Sequence, residues 1–398
     1  GARILAGLVP CNVIPDEILT DHPKRFRAMI VESSNPAHSL ADSQRFREAF
    51  ETLDLVLVID VAMTETARLA DYVLPAASQY EKAEATFFNF EFPDNTFHLR
   101  RPLLEPLPGT LPEAEIWARL VRALGLVDQA ELAPLREAAE ESRQAYTEAF
   151  ARATTANPML SKLAPYVLYE TLGPALPEGL ESAAALWGLA HRCAMTYPDA
   201  VRRAGHTDGN QLFDTILESP SGVTFTRDDY GDDFERIVHP DRRIALDLPD
   251  MLAELAALEA GPVSKTDDRL PIVLSVGERR SYTANDIFRD PSWRKRDVDG
   301  ALRVSAEDAT RMGLVDGGRA RVTTARGTAE ATVEVSEAML AGHASLPNGF
   351  GLDYTAEGGE TVVPGVSPNS LTSSDWRDEF AGTPWHKHVP ARIEPVGG

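Results

Sequence analysis

Cysteine is almost missing from this sequence: 398 residues carry two, Cys11 and Cys193. With no second thiol near either, neither a zinc ribbon nor an iron–sulfur cluster can be assembled from this chain alone. A disulfide scaffold is excluded too, and two isolated thiols fit a reducing, cytoplasmic setting. Positive charge is also scarce. Lys+Arg 39 against Asp+Glu 61 leaves a net −22, a field that repels phosphate backbones and anionic lipid, so nucleic acid is excluded as a partner. No apolar run approaches the ~18 residues of a spanning helix, and no basic stretch followed by an apolar one opens the chain. There is no G-x-G-x-x-G after the first strand, no G-x-x-x-x-G-K-[ST], no G-x-S-x-G and no H-E-x-x-H, which disfavours a P-loop, an ordinary NAD site, a serine hydrolase and a zinc protease. The first residues, Gly1-Ala2-Arg3-Ile4-Leu5, lack Met and run straight into apolar sequence. That start is expected of a piece of a longer protein.

What is present is globular in composition, 43% hydrophobic and 25% charged, with room for two or three domains. The first third alternates strand and helix. Arg27 to Val31 and Leu55 to Ile59 are short apolar runs, the second continuous, as in a parallel strand buried on both faces. Between them lie the polar turn Glu32-Ser33-Ser34-Asn35-Pro36 and a helical stretch from about Ala41 to Glu51. Thr64 is placed to cap a short helix through Leu69, and Tyr72-Val73-Leu74 is a third strand ending at Pro75. This βαβαβ order implies an open parallel sheet with the three strand-end loops on one edge.

From about Glu113 to Glu259 the spacing turns helical, at Ile116, Trp117, Leu120, Val121 and Leu124, then at Leu186 and Leu189, Phe213, Ile216 and Leu217, and Leu252 to Leu258. Pro158, Pro165, Pro174, Pro177, Pro220 and Pro240 cut it into short pieces. After Gly261-Pro262 the chain is strand-rich: Ile272 to Val276, Leu302 to Val304, Ala320 to Thr324, the alternating Thr328 to Val335, His343 to Leu346 and Val389 to Ile393. Ser305 with Asp308 resembles a capping box for a helix ending at Gly313, and Asp316-Gly317 and Arg326-Gly327 are turn signals. The end of the chain therefore reads as a small β-barrel.

Asp60, closing a central parallel strand beside a Ser/Asn turn, has the placement of a nucleotide-site carboxylate, with Ser33, Ser34 and Asn35 as donors across the crevice; the competing reading is an ordinary turn residue. A second donor-rich loop runs from Gly277 through Glu278, Arg279, Arg280, Ser281, Tyr282, Thr283 and Ala284 to Asn285. Its composition suits pyrophosphate or a polar heterocycle, against the alternative of a solvated basic loop. His191 and His206 read as surface or capping residues, and His386-Lys387-His388 lacks a third ligand for a metal.

Three segments together resemble the molybdopterin oxidoreductase family of the dimethyl-sulfoxide-reductase type, which includes formate dehydrogenases and nitrate reductases. The first joins Ser34-Asn35-Pro36, the strand ending at Asp60, Thr64-Glu65-Thr66-Ala67 and Ala70-Asp71-Tyr72-Val73-Leu74-Pro75. The second is Gly277 to Asn285. The third comprises Val304 to Ala309, Gly313, Asp316-Gly317, Arg326-Gly327 and Asn369-Ser370-Leu371-Thr372. One stretch departs from the family pattern: Glu81, Glu84, Thr86 and Asn89 fit, but Ala85 stands for Gly and Phe92-Pro93-Asp94 for Gly-Arg.

The resemblance implies α/β plus β architecture: a parallel αβα, Rossmann-like domain over 1–125, a helical connector over 126–262 and a C-terminal double-psi β-barrel over 263–398. It implies a Mo-bis(molybdopterin guanine dinucleotide) cofactor, with W as the alternative metal. Asp60 would take the guanine edge, Ser34, Asn35, Thr64 and Glu65 would line that nucleotide, and Gly277, Arg279, Arg280, Tyr282, Asn285, Asn369 and Lys387 would contact pterin or phosphates. The metal ligand and a [4Fe-4S] motif belong to an N-terminal half of the family, which would be this chain's partner together with an electron-transfer subunit. Formate oxidation is the first expectation, with a nitrate reductase-type enzyme or a non-catalytic subunit resembling the large NADH dehydrogenase subunit as alternatives, and the chain by itself is expected to be inactive.

Overall fold

The computed structural model describes residues 3–4, 7–86, 91–260, 265–280, 289–290, 292 and 297–397. The chain forms two compact units, Gly1–Val73 with Ala253–Gly398, and Leu74–Leu252. The boundaries expected at 125 and 262 thus fall inside the second unit and the first.

In the first unit, strands β1 (Ala28–Glu32) and β2 (Leu55–Asp60) pair in parallel, Val31 beside Val58, and β3 (Tyr72–Pro75) continues the order β1-β2-β3. Val56, Val58 and Ile59 are buried, and Phe46, Ala49 and Phe50 on the helix Ser43–Glu51 pack with the first two of them. Three-residue spacing puts Phe46 and Ala49 on one helix face, which is why this stretch folds against the sheet. That helix begins at Asp42, whose carboxylate accepts from the Arg45 N–H at 3.3 Å. The sheet is less enclosed than the apolar run predicts, since Ile30 is 46% and Leu55 39% exposed.

The second unit packs helices around Leu132, Leu135, Tyr146, Val167, Leu172, Trp187, Leu212 and Phe213. Proline acts as expected at Pro158 and Pro165, which open the helices Pro158–Lys162 and Ala164–Thr171. Against the helical reading, this unit also holds an antiparallel sheet of β4 (Glu84–Thr86), β5 (Asp94–Arg100) and β6 (Val223–Arg227). The strand at Val223 eluded the helical spacing because five residues are too few to set a period. The helix Pro249–Ala260 leaves Met251, Leu252, Leu255 and Leu258 exposed rather than packed.

Back in the first unit, β7 (Ile272–Glu278), β8 (Leu302–Val304), β9 (Arg319–Thr324), β10 (Thr328–Val335) and β11 (His343–Pro347) precede the small hairpin β12 (Tyr354–Thr355) and β13 (Thr361–Val362), and β14 (Val389–Pro395) closes the chain. Six of these form a closed barrel in the order β10-β8-β11-β7-β14-β9. Its pairs are mixed: β8 with β10 and β7 with β11 are parallel, the others antiparallel. The alternation in β10 holds, with Ala331 and Val333 in the core beside Val322, Leu274, Leu346 and Ile393. Ser305 Oγ accepts from the Asp308 N–H at 3.1 Å and the helix Ala306–Met312 ends at Gly313 with φ +69°. The expected mixed α/β architecture with a C-terminal barrel is therefore present.

Candidate functional site

The strand-end loops of β1 and β2 are built around two side chains. Asn35, buried, accepts at Oδ1 from the Thr66 N–H at 3.1 Å and hydroxyl at 2.8 Å, and donates from Nδ2 to Glu65 at 2.7 Å. Ser33 just before it holds φ +51° and donates its N–H to Ile59 at 3.0 Å, folding the chain sharply off the strand. Ser34 is half-buried between them. At the end of β2, Asp60 Oδ1 accepts from the N–H groups of Val61 at 2.7 Å and Ala62 at 3.3 Å. Thr64 Oγ1 accepts from Ala67 N–H at 3.1 Å, the cap expected of it, over a short 3-10 turn, Ala67–Leu69. Asp60 is thus held at the carboxyl end of a parallel strand, where open α/β sheets bind ligands.

Glu65 faces the other way. Its carboxylate takes Asn35 Nδ2 on one side and the Arg289 guanidinium on the other, at 2.6 and 3.1 Å. Burial works to raise its pKa, but the hydrogen bonds from Arg289 and Asn35 prevail and hold it below the ordinary carboxylate range. His38 behind it is buried and pushed down to about 4, by burial first, with Arg289 and Arg47 adding and Glu65 opposing. Asn369 Nδ2 donates to the His38 carbonyl at 2.9 Å. Asp42 accepts from Arg326 at 2.5 Å and from Ser374 at 3.2 Å. These bonds fasten the sheet segment to the barrel within the first unit.

On the barrel, Gly277, one residue before the end of β7, has φ +84°, and a Cβ there would come 2.9 Å from the Asn348 side chain, whose Nδ2 donates to the Gly277 carbonyl at 3.0 Å. Arg280 does not reach outward as the sequence reading expects. Its side chain is 5% exposed, and it donates to Glu278 at 2.8 Å and to the carbonyls of Ala301 at 2.8 Å and Ser345 at 3.3 Å. Buried charge demands such satisfaction, so Arg280 braces the barrel. Arg279 is exposed, with no hydrogen bond or ion pair among the described residues. Lys387 Nζ donates to the Val276 carbonyl at 2.9 Å; burial lowers its pKa, Arg279 adds to this and Glu278 opposes it. Tyr282 and Asn285 lie outside the described residues.

Two exposed cations, Arg279 and Lys387, at one strand end in a chain of net −22 make a local positive spot, and the Asp60 carboxylate lies at another strand end. That donor set fits an anionic dinucleotide with a guanine-type edge. Neither histidine of the helical region is a surface residue free for chemistry: His206 is buried and bonded to the Thr224 carbonyl at 2.8 Å, and His191 contacts Asn210 at 2.9 Å. No group of three metal-binding side chains occurs among the described residues.

Residues 10–118 match the molybdopterin oxidoreductase family, and residues 272–390 match the Molydopterin dinucleotide binding domain. The chain belongs to the molybdopterin oxidoreductase family. Among curated relatives, the probable oxidoreductase YoaE of Bacillus subtilis is 23% identical over 89% of this chain and 42% of its own length. The F420-dependent formate dehydrogenase subunit alpha of Methanocaldococcus jannaschii is 34% identical over 28% of this chain and 16% of its own. Acetylene hydratase from Pelobacter acetylenicus shares the fold, with TM-score 0.54 and 16% identity over 99% of this chain and 48% of that one. The chain spans less than half the length of these relatives.

Within this family member, the sequence reading missed Arg289, Asp353, Arg68, Asp42 and Arg326. Arg289 stands 224 positions from the Glu65 it binds, a separation no local pattern encodes. The one available signal was Glu65 itself, a carboxylate that needs a cation if buried.

Proposed function

We propose that this chain holds the guanine-dinucleotide ends of a bis(molybdopterin guanine dinucleotide) cofactor carrying Mo or W, in a two-electron oxidoreductase. The reading rests on one observation above all. The two family segments, 10–118 and 272–390, are separated by a helical region, yet residues of both, Asn35, Glu65, His38 and Asn369 among them, meet in the first unit. Asp60 accepts from the guanine ring N–H and exocyclic amine, Ser34 lines the same nucleotide, and Arg279 and Lys387 face phosphates, with Gly277 allowing close approach. Tyr282 and Asn285 are assigned to the pterin or phosphates as well. In this reading the sheet is Rossmann-like and the barrel double-psi, and the metal ligand and a [4Fe-4S] cluster come from the remaining part of the protein. When bound, the metal centre supplies the electron transfer, and this chain supplies position and electrostatics. Formate is the substrate we place first, supported by the relative from Methanocaldococcus.

Metal analysis for Mo and W, with fluorescence of the oxidised pterin and GMP released by acid, tests the reading on the intact protein. Metal, pterin and guanine in fixed proportion are expected. Iron–sulfur content with neither metal nor pterin would identify an electron-transfer subunit instead and overturn it.

A further inference from the structure

Four charged side chains in the first unit form an alternating chain that the proposed cofactor contacts do not include. Arg289, 15% exposed, donates to both oxygens of Glu65, itself 9% exposed, and to Asp353 Oδ1 at 2.8 Å and its carbonyl at 3.2 Å. Arg68 closes the series with two bonds of 2.8 Å to the same Asp353 carboxylate. Two anions and two cations sum to zero. Such a set cannot neutralise phosphates, and the polar atoms of Glu65 and Arg289 that could face a ligand are already bonded inside the protein. What the chain of charges does is mechanical: Glu65 pins Asn35 of the β1 loop, belongs to the β2 loop that starts at Asp60, and reaches the barrel through Arg289 and Asp353.

We propose that Glu65, Arg289, Asp353 and Arg68 are a strut that sets the spacing between the Asp60 loop and the barrel, so that they position the dinucleotide contacts without touching the dinucleotide. This rests on the function proposed above and deepens it, reassigning Glu65 from ligand contact to positioning residue. The physical argument is that a site split between two loop sets binds well only when the two sets are held in fixed register, so that the ordering cost is met before the ligand arrives. A buried, hydrogen-bonded ion pair is a short tie with little freedom to drift.

The arrangement predicts unequal consequences for its two central members. Glu65→Gln leaves Arg289 still paired with Asp353. Arg289→Met leaves Glu65 and Asp353 as two carboxylates with Arg68 alone between them, so like charges drive the loops apart. Removing the Glu65 charge as well should then repair much of the damage.

The test uses the intact protein purified with its cofactor and follows the rate of guanine-nucleotide loss on dilution, read as GMP after acid hydrolysis. Expected are about a tenfold faster loss for Arg289→Met, no more than about threefold for Glu65→Gln, and a return to about threefold for the double variant, because removing the second carboxylate ends the like-charge repulsion and contacting charges couple non-additively. The exposed outer member offers a milder check that is safe for folding: Arg68→Gln should lose nucleotide about two- to threefold faster. Unchanged retention in Arg289→Met and Arg68→Gln overturns the strut. So does a double variant whose loss equals the product of the single effects, which is how two direct ligand contacts behave. Absence of guanine from the wild-type protein overturns the functional reading itself, whereas guanine in the wild type with indifferent variants overturns the strut alone.

Discussion

At the scale of single residues, the most telling feature is how few of the polar side chains around Asp60 are uncommitted. Asn35, Thr64, Glu65, Arg280 and Asn369 all carried the family resemblance, and all make their hydrogen bonds inside the protein. Resemblance identifies positions that matter without saying whether they matter to a ligand or to the loops beside it. Asp42 illustrates the structural kind. It is buried, holds φ +60° and receives Arg326 and Ser374. Asp42→Ala should destabilise the protein by about 2 kcal/mol, because the buried carboxylate that pairs with the partly exposed Arg326 is lost together with a helix cap. Asp42→Asn should cost less, since Asn tolerates the left-handed backbone and can still cap. Urea denaturation of both variants checks the order.

His38 gives a pH dependence whose sign can be worked out. Its folded pKa, about 4, lies below the ordinary 6.5, so the folded state favours the neutral ring and the unfolded chain takes up the proton first as pH falls. The corresponding stability is present above pH ~6.5 and is lost as pH drops toward about 4, by up to roughly 3 kcal/mol. Urea midpoints measured between pH 7 and 4 should fall accordingly, and His38→Gln should flatten that slope. A midpoint as steep in the variant as in the wild type would assign the loss to carboxylates such as Glu65, whose depressed pKa also withdraws stability in acid.

At the scale of elements, strands and caps were legible where local chemistry decides them. Ser305 makes the expected N-cap, its Oγ accepting from the Asp308 N–H at 3.1 Å and donating to Asp308 Oδ2 at 2.9 Å. Ser305→Ala should lower stability by about 1 kcal/mol, read as a lower thermal midpoint with the barrel spectrum unchanged. Gly277 is an element-scale case as well, because it holds a positive φ near the end of β7 against Asn348. Gly277→Ala should displace the Arg279 loop and weaken guanine-nucleotide retention more than it weakens folding; the two are separated by measuring GMP content and urea midpoint on the same preparation. The strand Val223–Arg227 was not legible, and the helix Pro249–Ala260 was legible at Leu252 to Leu258 but its exposure was not. The first gains its strand identity from pairing with Asp94–Arg100, and the second shows apolar spacing without a packed partner among the described residues.

At the scale of the whole molecule, the chain leaves the first unit after Val73 and re-enters it at Ala253. Arg242 to Leu248 is exposed throughout, with Arg242 and Arg243 side by side. Limited trypsin treatment should therefore cut there first. The two fragments should still co-elute on gel filtration, because Arg326 holds Asp42, Arg377 holds Asp16 at 3.2 Å and Asn369 holds His38 across the cut. Fragments that separate without denaturant would contradict the unity of that first unit.

The sequence by itself determined the strands of the parallel sheet and the barrel, the caps, the presence of a C-terminal barrel and the family, since each depends on residues within a few positions of one another or on a spaced motif. It also placed Asp60 and Arg279 at strand ends. Only the tertiary structure decided that Arg280 is a brace, that Glu65 belongs to Arg289, and that residues 1–73 fold with 253–398. The reason is physical. A charge declares its role through the partner that satisfies it, and for these side chains the partner lies across the barrel or more than two hundred residues away, where no periodicity reaches.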